Sequence, residues 1–193
     1  MPSTEIEKKH FLNAKEWRDW LQENHGTKEG IWMICFNKKS GKQGVSWSEA
    51  VDQALCFGWI DSIKRSVDEH SSIQFFGKRK AKSTWSKINK QKVEQLIAGG
   101  LMATAGFHTI ETAKKNGSWM ILDEVEALHI PEDLKAALLE FSDATSFFNA
   151  LSKSSKKALL QWIVLAKKPE TRDRRIKEIA AAAALKKKPK LFV

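Results

Sequence analysis

Trp59, Asp61, Lys64 and Arg65 stand together in WIDSIKRS, and Arg79, Trp85 and Asn89 follow within GKRKAKSTWSKIN. Two flat rings, one carboxylate, one amide and several cations are the groups that hold a small anionic or heteroaromatic ligand. Cations attract charge, rings stack on a flat face, and the amide and carboxylate fix orientation. The same residues also suit a structural role, an Asp61–arginine pair locking a hairpin to the Trp85 helix, and the sequence leaves the two open. A third reading makes Asp61 the acid or base of a small enzyme, with a perturbed carboxyl in a cleft as its mark.

Other chemistries find no pattern. Two cysteines and five scattered histidines offer no paired spacing for zinc, so no metal and no cofactor is expected. Gly41-Lys42 is not a phosphate loop: the first glycine of that pattern falls on Phe36, and Gln43 stands where Ser or Thr is needed. Cys56 precedes Trp59 and Asp61, but it lies in the apolar helical run ALCFGW, where a thiol is usually inert. No nucleophile elbow or dinucleotide turn occurs, so an enzyme is not the first reading.

The elements that position these residues follow from pattern. Asn13 and Glu16 have capping-box spacing, and Trp17, Trp20 and Leu21 form one stripe of a helix that Gly26 stops. GIWMICF, Gly30–Phe36, reads as a central strand. Ser46 and Glu49 make a second capping box for a helix from Trp47 to Gly58. The period then changes to two, placing Trp59, Asp61, Ile63, Arg65 and Val67 on one strand face. Turn residues 68–72 return the chain along Ile73–Phe76, which predicts an antiparallel hairpin. A helix over 86–98 carries Trp85, Ile88, Val93, Leu96 and Ile97 on one arc, with Asn89 in its middle and needing a partner. A further helix spans 104–116, and 119–122 is a short strand or a docked apolar segment.

Beyond residue 128 every signal is helical. Pro131 opens one helix, reaching to Phe141, and Ser142 and Ser152 cap the next two. ALLQWIVLA is apolar nearly all round, and Pro169 opens a last helix with Ile176, Ile179, Ala180 and Ala183 inward. Arg172 falls on that inner face, so it needs an anion or a carboxylate from the acidic 119–150 block. LKKKPKLFV reads as a frayed basic end.

The formal net charge is +10, distributed in blocks: residues 71–118 carry nine basic and two acidic side chains, and 119–150 carry one and seven. Lys78, Arg79, Lys80, Lys82, Lys87 and Lys90, joined by the C-terminal basic block, would form a nucleic-acid stripe, although the aromatics lie at core spacing instead of interleaving with the lysines. The opening MPSTEIEKKHFL holds no apolar signal segment and no run reaches bilayer length, so a cytoplasmic protein without a membrane span is expected.

The run Leu55-Cys56-Phe57-Gly58-Trp59-Ile60-Asp61, then Lys64-Arg65, Asp68-Glu69, Phe75-Phe76, Lys78-Arg79, Trp85-Ser86-Lys87-Ile88-Asn89 and Val93-Glu94, and finally Ala166-Lys167-Lys168-Pro169-Glu170-Thr171-Arg172 with Arg175-Ile176, resembles the bacteriocin-protection, YdeI/OmpD-associated family over roughly residues 10–180. Ser62, Ser71 and the Gly77-Lys78 entry depart from its usual pattern. The resemblance implies resistance to bacteriocins or antimicrobial peptides and association with an outer-membrane porin, and no enzyme reaction. The expected fold is α+β, a small mostly antiparallel sheet packed by helices with an all-helical C-terminal lobe. The expected division is 1–127 for the core with its polar pocket and 128–193 for the lobe, packed as one structural unit. The expected partner is a small anionic or heteroaromatic ligand or a protein.

Overall fold

The computed structural model describes residues 6–189 and Phe192. Residues 1–5, 190, 191 and 193, which the readings of the N-terminal stretch and the basic tail include, lie outside the described residues. The chain divides into two compact units, the first ending at Trp119 and the second beginning at Met120, earlier than the 127/128 boundary expected. The fold is α+β, with the sheet in the first unit and helices alone in the second.

The first unit runs β1 (Lys8–His10), α1 (Ala14–Asn24), β2 (Gly30–Phe36), α2 (Trp47–Cys56), β3 (Trp59–Ser66), β4 (Ser71–Lys78), α3 (Lys87–Ala98) and α4 (Thr104–Lys115). The strands form one four-stranded sheet in the order β1-β2-β4-β3. Both ladders of β4 are antiparallel, and β1 pairs parallel to β2. β1 is absent from the sequence reading because Lys8 and Lys9 show no strand pattern, and its partner lies more than twenty residues on.

Both capping signals form. The Asn13 side chain accepts the Glu16 N–H, and at α2 Ser46 and Glu49 cap each other reciprocally. The Trp17, Trp20 and Leu21 stripe is buried. Trp17 donates its indole N–H to the Ala50 carbonyl at 2.9 Å, fixing α1 to α2, and its ring meets Phe76 of β4 at 5.3 Å. These helices therefore lie on the sheet face that carries Ile31, Met33 and Phe76, all buried.

β3 departs from strict alternation. Its register to β4 shifts between Asp61 and Lys64, a bulge that places extra residues in β3. Asp61 pairs with Phe76 and Lys64 with Gln74, so both lie on the helix-covered face, whereas Arg65 pairs with Ile73 on the other. The expected common face of Trp59, Asp61, Ile63, Arg65 and Val67 is thus broken.

In α3, Ser86 caps the helix, Val93 and Leu96 are buried, and Ile88 and Ile97 are exposed, so the apolar arc is narrower than predicted. Lys92 ties α3 to α2 through Asp52 at 2.6 Å and the Ser48 hydroxyl at 2.8 Å. Trp119 ends the unit in a turn, not a strand: its backbone N–H donates to Ala113 O and its ring packs on Trp85 at 4.9 Å.

The second unit contains α5 (Asp123–Glu126), α6 (Glu132–Leu139), α7 (Ala144–Ala150), α8 (Lys153–Val164) and α9 (Pro169–Ala184) around Leu134, Phe148, Leu159 and Ile179. Ser152 caps α8, but Asp143, not Ser142, precedes α7, and it makes no side-chain cap. α8 buries one face only, with Gln161 exposed. In the tail, Phe192 packs edge-on against Trp162 at 5.4 Å, which a frayed end does not do. No helix among the described residues is long and apolar enough to cross a membrane.

Candidate functional site

The seven residues expected to share a pocket separate into five environments. Trp59 is 1 % exposed and belongs to the core, with its ring edge-on to Trp20 at 5.8 Å. Arg65 lies on the other sheet face, its guanidinium 4.8 Å above the Trp32 ring. Arg79 stacks on the buried Trp85 ring at 3.7 Å and donates through Nη2 to the Thr84 carbonyl. Asn89 is half-buried in the first turn of α3, its backbone N–H held by the Ser86 hydroxyl. Asp61 and Lys64 remain on the helix-covered face of β3.

The Arg79 environment is a packed one. Its Nε and Nη1 atoms are buried and have no hydrogen-bond partner among the described residues. Burial pushes the guanidinium down to about 10, and the Asp61 carboxylate opposes that shift. Trp85 continues into Trp119, over which Lys90 and Lys114 lie at 5.2 and 5.4 Å. This is a cation–aromatic stack that joins the end of β4 to α3 and the end of α4.

The open site is elsewhere. α2 covers the sheet only as far as its first residue, Trp47. Beyond it, the same face of β2, β4 and β3 continues into a trough of about 1110 Å³. Its floor carries Cys35, Gln74, Lys64, Ser66 and Ser72, and the loop before α2 supplies Lys38, Lys42 and Val45 opposite. Trp47 stands at the boundary, 56 % exposed, and donates its indole N–H to Asp61 Oδ2 at 2.9 Å. An exposed tryptophan is thereby held in one orientation.

Gln74 is the unusual member. It is 4 % exposed, lines the trough, and has no side-chain hydrogen bond to any described residue. Its amide atoms are not among the fully buried side-chain atoms that lack a partner, so they open on the trough. Gln74 shares its face with Phe76, so a polar residue two places before a core phenylalanine was the available sequence signal. Trp47, Lys38, Lys42 and Cys35 were not read as site residues. The Cys35 thiol is pushed up by burial, with Lys64 opposing, and Cys56 is pushed up by burial in the core, with Arg18 opposing, so neither is an activated nucleophile. At the hairpin end, Asp68 is committed to the turn, accepting the His70 and Ser71 N–H groups at 2.7 and 2.6 Å.

Comparison with known families gives two matches. Residues 9–109 match the family described as "Domain of unknown function (DUF8412)", a span that covers more than half of the chain. The chain belongs to this family. Residues 127–191 match the family described as "Bacteriocin-protection, YdeI or OmpD-Associated", which supports the resemblance read from the sequence. Of the residues quoted for that resemblance, Ala166–Arg172 and Arg175-Ile176 lie in the second match, and those from Leu55 to Glu94 lie in the first. No curated protein and no solved structure matches the chain.

Within the YdeI/OmpD-associated segment, Arg172 grips Asp133 with two bonds, Nε to Oδ2 at 2.7 Å and Nη2 to Oδ1 at 3.0 Å. Asp133 is an acid of the 119–150 block. Both line a groove of about 590 Å³ between α6 and α9 whose walls include Ala137, Phe141, Ile176 and Ala180. The Arg172 bond holds the Asp133 carboxyl below its ordinary 3.8. A lowered carboxyl pKa contributes stability fully above 3.8 and loses it as pH falls through the folded value. The pair is about half exposed, so Asp133→Asn is expected to cost about 0.2–1 kcal/mol at pH 7 in urea unfolding, and nothing once pH is below the folded value.

Proposed function

We propose that the DUF8412 unit is a binding module whose trough holds a small anionic ligand, and that the chain is a cytoplasmic protein acting in protection against bacteriocins or antimicrobial peptides. The observation that carries the binding reading is the trough itself, where the Gln74 amide and its register partner Lys64 share an open sheet face also lined by Lys38, Lys42, Asp68 and Glu69. A polar amide on the face that carries Ile31, Met33 and Phe76 adds little to packing, whereas a ligand in the trough can bond it. Asp61 as acid or base is the weaker reading, because its Oδ2 is engaged by the Trp47 indole.

The test compares wild type with Gln74→Leu and Lys64→Ala by thermal shift against pyrophosphate. Gln74→Leu replaces the amide by an apolar side chain of similar size on the face of Met33 and Phe76, so the variant alone is expected to melt close to the wild-type temperature. Pyrophosphate is expected to raise the wild-type midpoint and to raise that of either variant much less. A Gln74→Leu protein that melts well below wild type and keeps its pyrophosphate shift makes Gln74 scaffold and sinks the trough. Protection is tested by survival of bacteria expressing wild type or the Gln74→Leu/Lys64→Ala double variant under a pore-forming bacteriocin. Equal survival of the two removes the link between trough and protection.

A second reading, binding of single-stranded nucleic acid, is favoured by the opposite sheet face. Phe75 lies over Gly30 and Gly77 so closely that a Cβ on either would meet its ring at 2.3 and 3.0 Å, and Trp32 and Arg65 stand beside it. The lysine stripe contributes less than its count suggests, since Lys78 is paired with Glu29 and Arg79 is packed on Trp85. Arg65→Glu abolishing a salt-dependent oligonucleotide shift would select this reading.

A further inference from the structure

We infer that the ligand of the trough is a flat heteroaromatic ring carrying a phosphate, the chemistry of a mononucleotide. The inference rests on the trough being an anion site and adds what the anion is attached to.

Three features of the trough point to the ring. Trp47 exposes more than half of its surface at the first position of α2, where any residue would serve the helix. Its indole N–H bond to Asp61 removes the rotational freedom that an exposed side chain normally keeps, so a stacking partner meets a ring already in place. Gln74 supplies the complementary edge. Its amide presents a donor and an acceptor side by side in one plane, the pairing pattern that the edge of a purine offers in return. Free inorganic anions have no use for an amide acceptor.

The cations are placed for the other end of such a ligand. Lys64 is the register partner of Gln74 on the adjacent strand, and Lys42 of the loop also lines the trough, its ammonium 4.5 Å from the Phe36 ring centroid. A phosphate at Lys64 replaces water around an ammonium group that has no carboxylate partner among the described residues. Asp61 adds negative charge at the N–H edge of the Trp47 indole, and Asp68 and Glu69 line the trough at the hairpin end. In this arrangement Asp61 is a positioning residue: it acts through Trp47.

The experiment measures binding of adenosine monophosphate, adenosine and pyrophosphate by calorimetry to wild type, Trp47→Leu and Lys64→Ala. Trp47 is exposed, so its replacement leaves the fold intact, which a melting curve checks. Adenosine monophosphate is expected to bind at least about ten-fold more tightly than pyrophosphate, the effect of one stacked base. Trp47→Leu is expected to erase that advantage while leaving pyrophosphate unchanged, and Lys64→Ala to weaken both phosphates and spare adenosine. Asp61→Asn, which keeps a hydrogen-bond acceptor for the indole, is expected to retain more of the advantage than Asp61→Ala. If adenosine monophosphate and pyrophosphate bind alike, or if Trp47→Leu weakens them equally, the heteroaromatic inference falls and the anion trough stands. If neither phosphate binds wild type, the inference and the anion reading fall together.

Discussion

Trp85→Ala is expected to destabilise the first unit by about 3–5 kcal/mol and to lower its melting midpoint by roughly 10 °C or more. Trp85 is 2 % exposed and is the centre of the Arg79–Trp85–Trp119 stack. Truncation leaves a cavity and also removes the ring face that covers Arg79, whose Nε and Nη1 already lack partners among the described residues. Arg79 itself gives the sharper contrast. Breaking a buried ion pair usually costs about 3–5 kcal/mol because a charge is left alone. Here the charge is already nearly alone, its one side-chain bond being to Thr84 O, so Arg79→Met keeps the stem against Trp85 and discards unpaired donors. Its expected cost is below about 1.5 kcal/mol, the range of volume-conserving swaps. Urea melts of the two variants decide it: an Arg79→Met loss as large as that of Trp85→Ala means that Arg79 is fully paired in solution, through Asp61 or water, and that the stack is held by charge instead of packing.

The parts of this fold that were legible in the sequence are those set by local chemistry. Asn13, Ser46 and Ser152 each cap the helix expected of them, because a cap involves residues three apart. The hairpin turn was legible through Asp68, and the inner face of α9 through its 3.6-residue period. What failed depends on partners far along the chain. β1 has three residues and pairs with β2 across α1. The bulge in β3 carries no glycine between Asp61 and Lys64, and it decided which of Lys64 and Arg65 reaches the trough. Trp59 and Trp85 were read as pocket walls because polar residues surround them in sequence, yet both rings are buried among other aromatics. Trp47 escaped notice because a helix wheel counts it as one more residue of an apolar arc, and its tie to Asp61 spans a helix, a turn and half a strand.

That tie depends on the turn between α2 and β3, which makes Gly58 the position of largest expected effect outside the core. α2 carries the chain about 15 Å away from Trp47. Gly58, at φ +71°, then reverses it so that β3 returns Asp61 beneath the Trp47 indole. Two separate obstacles meet a side chain here. The left-handed backbone costs a non-glycine residue about 1–2 kcal/mol. A Cβ would also lie 2.3 Å from the Thr109 hydroxyl and 3.0 Å from the Ala105 carbonyl of α4, and such overpacking adds about 1–3 kcal/mol. Gly58→Ala is therefore expected to destabilise by about 2–5 kcal/mol. A double-mutant cycle separates the terms. Combined with Thr109→Ala, the nearest contact disappears while the backbone strain stays, so the added cost of Gly58→Ala should shrink to about 2 kcal/mol or less. Costs that simply add across the cycle would show that the Thr109 side chain yields freely and that backbone strain and the Ala105 carbonyl forbid a side chain. Coupling of the expected sign means that α4, through Thr109, holds the turn that places Asp61, and with it the Trp47 wall of the trough.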